Sequence, residues 1–302
     1  MAGHIVVVGS LNMDLVVRTP RLPAMGETLL GSGFRTIPGG KGANQAAGAA
    51  RMGAEVKMVG RVGDDAFGGA LLQNLRNEGV DTTFVSALPG VPTGVALITV
   101  DPAGHNTIIV DPGANGQIGP AGVAAAEAAF GGAGALVAQL ECPLDAVQEA
   151  AMLARRRGLR VIINPAPAQP LDKAFLANVD MLMPNQTELA LLTGQDDIRT
   201  AVASLHDWGV RCVVVTLGEN GALVSEAGRV TRMPPHRVKA VDTTAAGDAF
   251  VAAFAVEITR GGSVLSAARW GNAAGALAVT RVGAQPSLPT RREVEALLAQ
   301  AA

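Results

Sequence analysis

Ile5-Val6-Val7-Val8, closed by Gly9, is the stretch from which the fold can be read. Apolar residues occupy both parities of the run, the pattern of a strand covered on both faces. Similar runs recur at Val56–Val59, Leu136–Val137, Val161–Ile163, Met181–Met183 and Cys212–Thr216. Ala- and Leu-rich stretches long enough for helices separate most of them. Strands alternating with helices predict βαβ units and an α/β body around a mainly parallel sheet.

Two regions break that rhythm. Leu15–Arg18 and Glu27–Thr36 alternate loosely around Pro20, Pro23 and Gly26. Thr93–Val100 and Asn106–Asp111 flank Asp101-Pro102-Ala103-Gly104-His105, a hairpin-like turn. Four extended segments without helices between them predict a small second sheet, a lid built from about 15–37 and 93–111. Ala246–Arg260, Ser263–Thr280 and Arg291–Ala301 read as helices. With no internal repeat or linker, residues 1–302 read as one α/β domain carrying that lid.

Composition excludes several classes. Of 302 residues, 49% are hydrophobic and 17% charged, so a sizeable core forms and disorder is ruled out. The net charge of −2 argues against a nucleic-acid binder, and 3% aromatics with no Tyr leave little for base stacking. Cys142 and Cys212, far apart and beside apolar runs, read as reduced, buried thiols. The first apolar run stops too early for a signal peptide. Ala121–Leu140 is nearly uncharged, but its Ala and Gly content, Glu127 and Gly131-Gly132 fit a helix followed by a strand rather than a membrane span. The expectation is a soluble cytoplasmic protein without membrane or nucleic-acid partners.

Familiar nucleotide motifs are missing. Gly40-Lys41 is followed by Gly42, so there is no P-loop, and Gly9 is followed by Ser10-Leu11-Asn12, so there is no dinucleotide fingerprint. Neither a Cys/His metal cluster nor a serine-hydrolase elbow occurs. Four other stretches could carry chemistry. Gly39-Gly40-Lys41-Gly42-Ala43-Asn44-Gln45 combines glycines that admit a ligand close to the backbone with polar donors at a helix start. Asp242-Thr243-Thr244-Ala245-Ala246-Gly247-Asp248 opens a helix with small residues and an acid. Free N–H groups beside a carboxylate suit phosphoryl transfer to an alcohol. Asn185-Gln186-Thr187-Glu188 places two oxygen-bearing side chains on one helix side, suited to water-bridged Mg²⁺. Thr216-Leu217-Gly218-Glu219-Asn220-Gly221 ends a strand in a turn that could seat a nucleotide. Taken singly, each reads better as a glycine turn, an N-cap or a hairpin bend.

Their order and spacing together resemble the ribokinase (PfkB) family of carbohydrate kinases. The resemblance runs from Val8-Gly9-Ser10-Leu11-Asn12-Met13-Asp14 to Ala284-Gln285-Pro286-Ser287. It includes Gln139-Leu140-Glu141, Asn164-Pro165-Ala166-Pro167-Ala168, and Ala rather than Gly at position 245. It implies a Rossmann-like domain whose β-lid also pairs two subunits, and ATP-dependent phosphorylation of the ribose 5-hydroxyl. By the same resemblance, Asp248 is the catalytic base and Ala245, Ala246 and Gly247 form the anion hole. Asn12, Asp14, Gly40, Lys41, Gly42, Ala43, Asn44 and Glu141 are expected around the sugar. Asn185, Thr216, Gly218, Glu219, Asn220, Gly221, Gly247 and Asn272 are expected along the nucleotide, with no base contact assigned. Asn185 and Glu188 are expected to handle Mg²⁺, and Asp242, Thr244, Ala278, Arg281, Gly283 and Ser287 an activating K⁺, mostly through carbonyls. The competing readings are a kinase of 2-deoxyribose, fructose or a nucleoside, a binding protein without catalysis, and a dehydrogenase; the intact Asp248 and the missing fingerprint speak against the last two.

Overall fold

Chain direction and strand pairing together put a crevice in the middle of the larger sheet. The computed structural model describes residues 3–102 and 105–300. The amino-terminal part runs β1 (His4–Val8), β2 (Asn12–Arg18), β3 (Ser32–Gly39), α1 (Lys41–Arg51), β4 (Val56–Gly63), α2 (Ala66–Asn77) and β5 (Asp81–Leu88). Next come β6 (Gly94–Val100), β7 (Asn106–Asp111), α3 (Pro120–Ala125), β8 (Ala133–Gln139), α4 (Leu144–Arg156), β9 (Arg160–Asn164), α5 (Lys173–Leu176) and β10 (Met181–Leu182). The rest is α6 (Gln186–Thr193), α7 (Ile198–Asp207), β11 (Cys212–Thr216), β12 (Ala222–Glu226), β13 (Arg229–Met233), α8 (Ala246–Thr259), α9 (Val264–Ala278) and α10 (Arg291–Gln300).

Nine strands form the larger sheet in the order β13-β12-β11-β10-β9-β8-β1-β4-β5. Pairing is parallel from β5 to β11 and antiparallel for β12 and β13. The chain travels outward from β1 through β4 to β5, then returns to β8 on the other side of β1. At that reversal the loops leaving the carboxyl ends of β1 and β8 diverge, which is where open α/β sheets hold ligands.

β1 is wholly buried and feeds two cores. Ile5 and Val7 pack with α1 and α8, while Val6 and Val8 pack with Phe130 and α4. Gly48 sets the spacing of α1 against α8: a Cβ there would lie 2.8 Å from Ala252 Cβ, so the two backbones meet at a position without a side chain.

The four-stranded sheet, ordered β3-β2-β6-β7, confirms the expected second sheet. Its first strand begins earlier than the pattern suggested, at Asn12, and β3 runs Ser32–Gly39 instead of Glu27–Thr36. Glu27 is instead tied into a turn, where its carboxylate accepts from Ala24 N and Arg21. β6 and β7 pair as the expected hairpin, although Ala103 and Gly104 of its turn lie outside the described residues. So does Ala301 of the last expected helix. Three strands escaped the sequence reading. β5 is a half-exposed edge strand, and β12 and β13 form an antiparallel margin of mixed polarity. No helix among the described residues is long and apolar enough to cross a membrane.

Candidate active site

Helix α8 begins where α1, β8 and β9 converge. Its first-turn acid, Asp248, is buried, and two neighbouring residues of α1 grip it. Asn44 Nδ2 donates to Oδ2 and Gln45 Nε2 to Oδ1, both at 2.9 Å. Helix residues one apart point about 100° away from each other, so they reach both oxygens only because the carboxylate lies between them. Asn44 Oδ1 is buried with no donor, an acceptor left open toward a ligand hydroxyl.

Beside this pair, Glu141 follows β8 and organises the β1 loop. Its Oε2 accepts from Ser10 Oγ, from Lys41 N at 3.0 Å and from Asn12 Nδ2 at 3.4 Å. Asn115 locks Asn12 from behind, donating to Asn12 Oδ1 at 2.7 Å while bonding both backbone groups of Leu11. Gly40 has φ 87°, and a Cβ there would strike Asn12 N at 2.6 Å, so only glycine lets the turn lie this close to β2.

Charge is concentrated here. Burial, with Glu141 and Asp248 nearby, raises Asp14 from 3.8 to about 7, although Lys41 pulls it down. Burial opposes the Lys41 ammonium, yet Asp248, Glu141, Glu188 and Asp14 outweigh it and raise its pKa. Burial also raises the Glu188 carboxyl against the Asn185 amide and Lys41. Four acids therefore face one cation.

The entrance of α8 leaves some, but not all, of its amides without a partner. Ala245 sits at φ 57°, a left-handed conformation rare for a residue with a Cβ. The N–H groups of Ala245, Gly247 and Asp248 find no acceptor among the described residues, whereas that of Ala246 donates to Thr243 O at 3.3 Å. A Cβ on Gly247 would meet nothing within 4 Å, so the helix entrance is open beside Gly247.

Other expected residues fall into place unevenly. Gly42 and Ala43 are buried, and their amides already donate to Ser10 Oγ at 3.3 Å and Ser10 O at 2.9 Å. They therefore brace the loop and have no free donor. Asn185 and Glu188 close a reciprocal capping box on α6, each side chain accepting from the other's amide. No group of three His, Cys, Asp or Glu side chains suited to a metal gathers among the described residues, so any divalent ion here would lean on substrate oxygens and water.

Asn185 bridges Thr216 across the carboxyl ends of β10 and β11. Gly218 opens onto free space, but Gly221 is hemmed in, its Cβ position 2.2 Å from Met233 O. Asn272 Nδ2 donates to Pro234 O at 2.6 Å. Both residues tie the turn and α9 to the segment after β13, while Glu219 and Asn220 are exposed. Asp242 draws the last expected set together, accepting from Gly283 N at 2.8 Å and from Thr244 N at 2.9 Å. Partial burial would raise its carboxyl, but the Thr244 hydroxyl, donating at 2.6 Å, and then these two amides outweigh it and hold the carboxyl below the usual range. Ser287 Oγ donates to Ala284 O at 2.7 Å, Ala278 O accepts from Arg281 N at 3.1 Å, and Arg281 pairs with Glu293.

Sequence reading missed Ser10, Gln45, Asn115, Gln139 and Asn164 as site residues. Signals existed for four: Gln45 is a bulky polar residue amid the alanines of a buried helix face, and Ser10, Gln139 and Asn164 stand in the stretches that carry the family resemblance.

Fold and site together define an α/β enzyme whose polar cleft lies at a sheet's switch point, with an acid and open amides at a helix entrance. The model of the pfkB family carbohydrate kinases matches residues 2–291, and the chain belongs to that family. It is 40% identical over 298 residues to a ribokinase of Haemophilus influenzae, covering 97% of each chain. It is 39% identical to a deoxyribokinase of Salmonella typhi, covering 95% of each. Among solved structures, a ribokinase of Arabidopsis thaliana in complex with ribose and ATP superposes with a TM-score of 0.91 at 36% identity, covering 99% of both chains.

Proposed function

We propose that this chain transfers the γ-phosphoryl group of ATP to the 5-hydroxyl of D-ribose, with Asp248 receiving the hydroxyl proton. The observation that carries the reading is the Asp248 carboxylate, gripped by two amides beside the unbonded N–H groups of Ala245 and Gly247. An uncharged pentose asks for hydrogen-bonding side chains, and Asn12, Asp14, Asn44 and Glu141 supply them without a second basic group for a sugar phosphate. A buried Asn44 acceptor left unmade selects a ligand that brings a hydroxyl.

In this reading Asp248 orients the alcohol and takes its proton as the new O–P bond forms and the bond to the leaving diphosphate breaks. The amides at the head of α8, aided by the helix dipole, offset charge on the transferring group. Lys41, held cationic by four acids, stands at the same place. The nucleotide lies along Asn185, Thr216, Gly218 and Asn272. Asn185 and Glu188 would hold Mg²⁺ through water, and the ion would supply charge neutralisation to the phosphates. The loops joined by Asp242 are the K⁺ site, with Thr244, Ala278, Arg281 and Gly283 offering carbonyls and Ser287 its hydroxyl.

The four-stranded sheet serves as the lid, excluding water and wasteful hydrolysis. At its β6–β7 margin it shows Leu97 and Ile109 on one face and Ile108 and Val110 on the other to solvent. An apolar patch of this kind suits a second copy of the chain, giving a homodimer through the lid.

An acceptor screen with ATP, Mg²⁺ and K⁺ tests the substrate, and ribose is expected to give the highest kcat/KM. The resemblance to a deoxyribokinase makes 2-deoxyribose the second reading, and a preference for it would overturn the first. Asp248→Asn is expected to abolish turnover while ribose binding, followed by calorimetry, survives. Near-normal kcat in that variant would refute the role of Asp248.

A further inference from the structure

We infer that Gln45 is a positioning residue for phosphoryl transfer, fixing the Asp248 carboxylate through a chain of three buried amides. The inference rests on Asp248 as the proton acceptor. Gln45 Nε2 donates to Asp248 Oδ1 at 2.9 Å and to Asn164 Oδ1 at 3.1 Å. Its Oε1 accepts from Gln139 Nε2 at 2.6 Å. Asn164 Nδ2 donates in turn to Met183 O at 2.9 Å.

The direction of this chain is dictated from its two ends. A backbone carbonyl and an ionised carboxylate can only accept. Met183 O therefore claims the Asn164 amide nitrogen, which turns the Asn164 oxygen toward Gln45. Facing that oxygen and Asp248, Gln45 must present its NH₂ group to both. Its oxygen is left toward Gln139, whose NH₂ fills it. Each amide has one permitted orientation.

Both protons on Gln45 Nε2 are thus committed, and the residue is 1% exposed. No donor of Gln45 remains for a sugar hydroxyl, so the side chain acts on Asp248 alone. Asn44 holds the other oxygen, and together the two amides set the plane of the carboxylate. Gln139 leaves its own Oε1 buried without a donor. An apolar core would avoid that cost, so orientation is what the network supplies.

Gln45→Met keeps the volume and removes the donor, while Gln45→Glu keeps the shape and puts an acceptor against Asp248. Steady-state kinetics, ribose calorimetry and thermal melting are measured for both. With Gln45→Met, kcat is expected to fall about ten- to a hundredfold, with ribose Kd held within about twofold. Gln45→Glu is expected to lose more at neutral pH and to recover as pH falls, because a protonated carboxyl can donate again; Gln45→Met shows no such recovery. Wild-type kcat in Gln45→Met, or a Gln45→Glu deficit that ignores pH, overturns the inference. Should Gln45→Met melt without cooperativity, the pH profile of Gln45→Glu decides alone. An inert Asp248→Asn beside a normal Gln45→Met removes only this inference, whereas an active Asp248→Asn removes the reading beneath it.

Discussion

Gly48 offers a way to move the proposed catalytic acid and its partner amides without touching them. It lies four residues after Asn44 on α1, and Ala252 lies four residues after Asp248 on α8, so the two helices touch one turn below the site. A Cβ built on Gly48 comes 2.8 Å from Ala252 Cβ, against about 3.5–4.0 Å for an unstrained carbon contact. Gly48→Ala must therefore separate the helices by roughly 0.7–1.2 Å. That stretch carries the 2.9 Å bonds from Asn44 and Gln45 to Asp248 beyond hydrogen-bond range. Overpacking costs about 1–3 kcal/mol, and alanine's helix preference returns about 1 kcal/mol, so stability should fall by about 0–2 kcal/mol. Activity should fall much further, on the order of a hundredfold for a displacement near 1 Å. The assay is kcat at saturating sugar and ATP, followed by ADP release, with melting in parallel. Gly48→Ala/Ala252→Gly exchanges the methyl between the helices and should restore most of kcat. A single variant that keeps kcat and melts higher, as helix preference alone dictates, refutes the argument.

Three further outcomes are expected. Asp14 sits at about 7 in the folded protein against 3.8 ordinarily, so the native state holds its proton through that window. Stability from this group is full below about 4 and falls as pH rises toward 7 by a few kcal/mol; relative to wild type, Asp14→Asn should remove the fall in denaturant unfolding, and identical pH profiles would contradict it. Ile109→Glu places a charge on the exposed edge strand β7 and should shift the protein to monomer in sedimentation velocity, an unchanged dimer ruling out this strand as the interface. Activity should be higher in K⁺ than in Na⁺, and Asp242→Ala, which unties Thr244 and Gly283, should erase the difference; indifference of the wild type to the cation would remove the site.

The short uncharged runs such as Ile5–Val8 and Cys212–Thr216 announced the buried parallel strands, because burial on both faces leaves no room for polar alternation. The edge strands β5 and β13 gave no such signal, since a margin open to solvent accepts Asp81, Thr83, Arg229 and Arg232. Glu27 likewise fits a strand pattern and yet is drawn into a turn by Arg21. Among the candidate site residues, Asp248 and the glycine turns could be picked out locally because a helix entrance is read within a few residues.

The sequence by itself determined the layered α/β plan, the second sheet and the two glycine-marked helix entrances, all consequences of local period and backbone freedom. Tertiary structure alone decided what meets at the entrances. Gln45 and Asp248 are 203 residues apart, Ser10 and Glu141 131, and Asn12 and Asn115 103. No local pattern encodes those pairs. They form because the chain reverses about β1 and because Gly48 lets α1 approach α8, packing constraints that exist only once the core is assembled.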